Sequence, residues 1–148
     1  MPHVVFSDSV DLYLIFKKCD KIFFKRNKEG GEGRTAKTTS STMTTTLVSP
    51  DNLIVRIDDF FIDPSGHQIM AKAVVVEGKI SSSFYILINA KSDKTTTIRL
   101  DPLTDPEKTP GVKTALALTA KKVLENFPDL KVTQTNIHEF LDDVFGSQ

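Results

Sequence analysis

The sequence predicts an α+β fold: an antiparallel β-meander of four or more strands, covered by an amphipathic C-terminal helix, plus a short terminal helix. Three observations carry that prediction. Apolar and polar residues alternate through much of the stretch Leu53–Leu100, and a period of two gives a strand one face of each kind. The breaks within the stretch are short, which favours antiparallel neighbours, since a parallel crossover needs roughly a dozen residues or more. Beyond it, Val112, Leu116, Ala120, Val123 and Phe127 recur every three or four residues, the stripe of an α-helix.

The strands differ in clarity. Ile80, Ser82, Phe84, Ile86, Ile88 and Ala90 alternate with Ser81, Ser83, Tyr85, Leu87 and Asn89, and Thr96, Ile98 and Leu100 alternate with Thr95, Thr97 and Arg99. Ile69–Val76 ends in Val74, Val75 and Val76, β-branched residues suited to a pleated, mostly buried strand. Between the strands, Asp63-Pro64-Ser65-Gly66 is a turn signature in which Pro presets φ and Gly closes the turn. Glu77-Gly78 and Lys91-Ser92-Asp93 are the other two breaks. The meander has an apolar face, which needs a cover.

The helix is that cover. Thr109 is placed to cap it and Pro110 to occupy its first position, where the missing N–H costs nothing. Ala115 and Leu124 flank the stripe, Lys113, Lys121 and Lys122 lie off its centre, and Pro128 ends the helix. A final helix is expected from about Asn136, with Glu139 completing a capping box. Its apolar face is Ile137, Phe140, Leu141, Val144 and Phe145, with Asp142 and Asp143 toward water.

Ahead of the meander, Leu12–Phe16 and Ile22–Phe24 read as strand–turn–strand around Lys17–Lys21. From Lys25 the composition turns to charge, glycine and then a Ser/Thr run, with too little apolar surface to offset the entropy of ordering it. The expected organisation is an N-terminal β-hairpin extension over 1–24, a flexible linker over 25–46 and a single α+β domain over 47–148. Met43 is a second point at which that domain could begin.

Composition narrows the function. Net charge is zero; residues 1–42 carry eight Lys/Arg against five Asp/Glu and residues 43–148 carry eleven against fourteen. Neither +3 nor −3 implies nucleic acid or an anionic membrane as partner. The lone Cys19 has no second cysteine to pair with, and no apolar run reaches the roughly 20 residues of a membrane span. A cytoplasmic or nuclear protein is expected.

No catalytic, metal or nucleotide motif stands out. Gly30-Gly31-Glu32-Gly33-Arg34-Thr35 lacks the Lys and the strand–helix flanks of a phosphate loop. Asp58, Asp59, Asp63 and His67 are close in sequence, but alternation sends Asp58 and Asp59 to opposite faces. Ser81, Ser82 and Ser83, with His138 or His3, lack a nucleophile-elbow motif. Phe23 and Phe24 ahead of Lys25, Arg26, Lys28, Arg34 and Lys37 would suit a nucleic-acid-associated small domain, yet Glu29 and Glu32 dilute the charge.

PH-like domains and the small proteasome-assembly chaperones share a broadly similar order of elements, an analogy of fold alone. The favoured reading is a non-enzymatic protein-interaction module, an adaptor or assembly factor without a cofactor. Its partner would be held by Phe140, Leu141, Val144 and Phe145, or by a sheet edge in a homo- or heterodimer. The alternatives are a small-molecule carrier with a pocket of Phe60, Phe61, Phe84, Tyr85 and Phe127, and an enzyme whose site is dispersed.

The helix stripe yields a direct test. Leu116→Asp buries an unpaired carboxylate against the sheet and is expected to unfold the protein, whereas Lys121→Asp should cost about 0.5 kcal/mol. Denaturant melts of both variants check it; equal losses would place the stripe on the wrong face.

Overall fold

Alternation over Leu53–Leu100 makes four paired strands, and segments remote in sequence complete the sheet. A computed structural model of the chain describes residues 1–26, 52–91 and 94–146. In chain order these form β1 (His3–Phe6), α1 (Leu12–Lys17), β2 (Ile22–Arg26), β3 (Leu53–Ile62), β4 (Gln68–Glu77), β5 (Ile80–Lys91) and β6 (Thr95–Leu100). A 3-10 turn (Pro102–Thr104), α2 (Pro110–Asn126), β7 (Val132–Thr135) and α3 (His138–Gly146) follow. The seven strands form one antiparallel sheet in the order β2-β3-β4-β5-β6-β1-β7, curled into a half-barrel.

The α+β prediction stands. The Asp63–Gly66 turn closes with a 2.9 Å bond from the Gly66 N–H to the Asp63 carbonyl. Gly66 sits at φ +78, a value open to glycine at little cost.

One residue keeps β3 in phase with the core. Asp58 faces Lys72 across the β3–β4 pair, but the next pairing is Phe61 with Met70, so β3 carries an extra residue. Asp59 takes up that bulge at φ +54. Before it, Val55 and Ile57 face the core; after it the pairing of Ile62 with the fully buried Ile69 continues the core face. Without the bulge, Phe60 and Ile62 would turn outward.

α2 lies in the trough of the curled sheet, packed on β1, β3, β4 and β6. From Gly111 to Ala120 every side chain except Lys113 is buried, so this is more than the one-sided stripe expected. Thr114 and Thr119 tolerate burial by donating their hydroxyls to the carbonyls of Pro110 and Ala115. The N-terminus is seated on β4: Thr109 Oγ1 and Gly111 N–H donate to the two carboxylate oxygens of Glu77, at 2.6 and 2.8 Å. Thr109 caps as expected, accepting from Val112 N–H. A Cβ at Gly111 would stand 2.6 Å from Val75 Cγ1 and 2.5 Å from Glu77 Cδ; only glycine allows this approach.

The N-terminal segment departs from expectation. Leu12–Lys17 is a helix rather than a strand: Asp11 caps it through Tyr13 N–H, and Leu12 and Ile15, three apart, are its buried residues. That spacing belongs to a helical turn and not to alternation. The flanking strands do not pair with each other. β1 inserts between β6 and β7, while β2 adds to the far edge beside β3. Tyr13 ties α1 to the β3–β4 turn by donating its hydroxyl to the Pro64 carbonyl. The linker expected over 25–46, and Met43 with it, lies from residue 27 onward outside the described residues.

β7 was not anticipated, because Val132–Thr135 holds one apolar residue and does not alternate. It exists through backbone pairing with β1. α3 begins at His138, two residues later than expected, and the capping box at Asn136 is replaced. The Asn136 amide instead accepts from His3 N–H and donates to the Met1 carbonyl.

Two predictions follow from this packing. Gly111→Ala and Glu77→Ala should each lower stability by about 1–3 kcal/mol, by overpacking and by lost charge-assisted bonds. In urea melts the double variant should lose less than their sum, because both act on one contact. A chain begun at Met43 would lack β1, α1 and β2, including the buried Val4, Phe6, Leu12, Ile15 and Phe24. It is expected to show no dispersed amide NMR spectrum, since β7 loses its partner strand and the core loses five apolar side chains.

Candidate interaction surface

The two faces of the sheet are treated differently. The buried residues of α1, α2 and α3 join a single core with the inward side chains of β1 to β6. The outward face carries no helix among the described residues. Antiparallel sheets commonly present a polar face to water; here β5 and β6 do so through Ser81, Ser83, Asn89, Thr95 and Thr97, whereas β3 and β4 also set apolar side chains outward. On β4 the outward residues include Met70, Lys72, Val74 and Val76, and the register sets Val76 beside Ile54, Val74 beside Arg56 and Met70 between Phe61 and Leu87. Leu87 is buried, Phe61 is exposed, and the other four apolar side chains are half-buried.

Charge on that face is one-sided. Lys25 on β2, Arg56 on β3, Lys72 on β4 and Arg99 on β6 point outward, against the single described carboxylate Asp58. Asp58 is already engaged by Arg56 Nε at 3.4 Å and stands opposite Lys72. Sequence reading missed this arrangement because the four cations come from four strands spread over 75 residues, from 25 to 99. The alternation within β4 was the available signal: Val74, Val75 and Val76 in succession suit a strand covered on both sides.

The α3 strip is largely committed to the fold. Leu141 and Val144 are buried, and Phe140 and Phe145 are half-buried against the core. α2 grips this helix. Lys113 Nζ lies 5.7 Å from the Phe140 ring centroid, and Lys121 Nζ donates to the Val144 carbonyl at 3.3 Å. Arg26 of β2 forms an ion pair with Asp143. Among the described residues the sheet edges are the short strands β2 and β7.

The five aromatic residues offered as a carrier pocket do not converge: Phe61 is exposed on the outer face. Phe84 is buried in the core and its neighbour Tyr85 faces outward. Phe60 lies after the β3 bulge, and Phe127 caps the C-terminus of α2. Of the five, only Phe127 lines the cleft of about 520 Å³ between the β1–α1 and α2–β7 loops. That cleft is walled about equally by polar groups, Asp8, Asp11 and Asp129 among them, and by Val10, Pro128 and Leu130, whereas ligand sites are predominantly apolar.

The remaining chemical candidates are dispersed or engaged. Asp63 Oδ1 accepts from Ser65 Oγ and His67 N–H within its own turn, and no three His, Cys, Asp or Glu among the described residues could hold a metal ion. Cys19 is half-buried, and burial pushes its thiol up to about 11 against the opposing effect of Lys122. It is therefore protonated and weakly nucleophilic at neutral pH. Ser81 and Ser83 are exposed on β5, and the glycine cluster Gly30–Gly33 lies outside the described residues. No described helix is long and apolar enough to cross a membrane.

No family model matches the chain, no curated protein matches it, and no solved structure matches it.

The packing of α3 gives a stability prediction. Phe140→Ala and Phe145→Ala should each cost roughly 1–3 kcal/mol, less than a fully buried aromatic, and Leu141→Ala roughly 2–4 kcal/mol. Thermal melts check the order; unchanged melting in the phenylalanine variants would free those side chains for another role.

Proposed function

We propose that this chain is a non-enzymatic protein-interaction module, an adaptor or assembly factor that docks a protein partner on the outer face of its sheet. One observation carries the reading: Met70, Val74 and Val76 of β4 point away from the core on a face that no described helix covers. Side chains of this kind, set in two clusters on either side of Arg56 and Lys72, Val74 and Val76 with Ile54 and Met70 with Phe61, are what a protein interface buries. Placing the docking surface here, rather than on α3, follows from the use of Leu141 and Val144 inside the fold.

The outer face is also built to present such a patch. Each of the strands β3, β4 and β5 is hydrogen-bonded to neighbours on both sides, so the patch is held rigid and little ordering entropy opposes binding.

Val74→Ser with Val76→Ser tests the reading. Both side chains leave a half-exposed strand surface, so folding should weaken by about 1 kcal/mol per site, while partner affinity should fall by about 2 kcal/mol or more. Native mass spectrometry of the chain isolated from its own cells is the measurement. A stoichiometric protein partner present with wild type and lost with the variant is the expected outcome. A bound small molecule retained by both forms would favour the carrier.

A further inference from the structure

We infer that the outer face of the sheet takes an acidic protein segment, its carboxylates lying along Lys25, Arg56, Lys72 and Arg99. The inference rests on the docking surface proposed above and names the chemistry of what docks there. The chain as a whole is neutral, with 19 basic and 19 acidic residues. Four basic side chains against one acidic side chain on this face is therefore a matter of placement, not of composition.

The register shows how they are placed. Lys25 pairs with Ile54, Arg56 is two residues further along β3, and Lys72 pairs with Asp58, two residues further again. Each step crosses one strand and advances two residues, so Lys25, Arg56 and Lys72 run diagonally across β2, β3 and β4. With strands about 4.8 Å apart and a rise of about 3.4 Å per residue, neighbouring steps are about 8 Å apart. Arg99 extends the line by a longer step of about 12 Å, across two strands: it faces Leu87, which faces Met70, one outward row beyond Lys72. Largely apolar side chains border the line on both sides, Ile54, Val74, Val76 and Tyr85 on one and Phe23, Phe61, Met70 and Leu87 on the other.

A row of cations between two apolar borders suits a segment that offers carboxylates along its middle and apolar groups at its margins. The cations would steer the encounter and select against basic partners, and the borders would supply the burial. The borders also weigh against nucleic acid. Binding to a single strand relies on exposed aromatic faces for stacking; five of the eight bordering residues are aliphatic, and of the aromatic three, Phe23 and Tyr85 are half-buried and Phe61 alone is exposed. The one internal carboxylate, Asp58, pairs with Arg56 and offsets one of the four charges, so the face keeps a net charge of about +3.

The test is an amide NMR titration of the full chain with defined probes: a twelve-residue peptide of alternating Glu and Val, its Gln–Val and Lys–Val counterparts, and a twelve-nucleotide oligothymidylate. The Glu–Val peptide is expected to shift amides of β2 to β6 around the four cations, more weakly at high salt. Lys72→Gln with Arg99→Gln, which removes two charges without facing Asp58 with a second carboxylate, should weaken it about fivefold or more while thermal melting stays near wild type. The Lys–Val peptide should not bind. Equal binding of the Gln–Val peptide at this face would overturn the acidic preference and leave the docking surface standing. Tighter binding of the oligothymidylate would overturn the inference in favour of nucleic acid. Glu–Val binding that maps elsewhere, that the double variant leaves unchanged, or that fails to occur would overturn it outright.

Discussion

The seating of α2 on β4 is the contact on which the rest of the structure depends. A helix laid in a sheet must satisfy its first N–H groups, and here water cannot do so from the buried side. Glu77, the last residue of β4, supplies both carboxylate oxygens, one to the Thr109 hydroxyl and one to the Gly111 N–H. A negative charge at that end also complements the helix dipole. Gly111 lets the backbone come close enough for the bond to form. With that end fixed, the buried run from Val112 to Ala120 meets the inward faces of β1, β3, β4 and β6, and the sheet curls around it.

Two further devices keep the sheet continuous around that helix. The bulge at Asp59 rephases β3, so its two halves present their apolar residues to the same core. β1 joins β6 to β7, and so joins the meander to the segment after α2. Thr96 secures the crossing: its fully buried hydroxyl donates to the Asp8 carbonyl and accepts from Val10 N–H. Residues nearly ninety positions apart are thus linked by a side chain whose own burial would otherwise be costly.

Placing the described α-helices on one side leaves the two faces of the sheet unlike. The concave side is filled, and α3 is held onto it by Lys113, Lys121 and Arg26. The convex side keeps apolar residues that a solvated sheet would replace with polar ones. Its cations come from strands that meet only in the sheet. The docking surface we propose is placed here because this face is amphipathic and predominantly positive, with Asp58 its single described carboxylate.

The sequence by itself determined the meander, its three breaks, α2 with its Thr109 cap, and the apolar face of α3. All of these are signals within a few residues of one another: alternation, turn chemistry, a capping hydroxyl and a 3.6-residue repeat. Only the tertiary structure decided the rest. Leu12–Phe16 holds enough β-branched and aromatic character to pass for a strand, yet the Asp11 cap and the burial of Leu12 and Ile15 make it a helix. β7 has no pattern of its own and is a strand because β1 offers it hydrogen bonds. Glu77 looks like a hairpin residue until α2 reaches it. The outer face is legible in part, through the run Val74–Val76, but its line of cations depends on the register of four strands. Register is set by pairing between distant segments, and no local pattern encodes it.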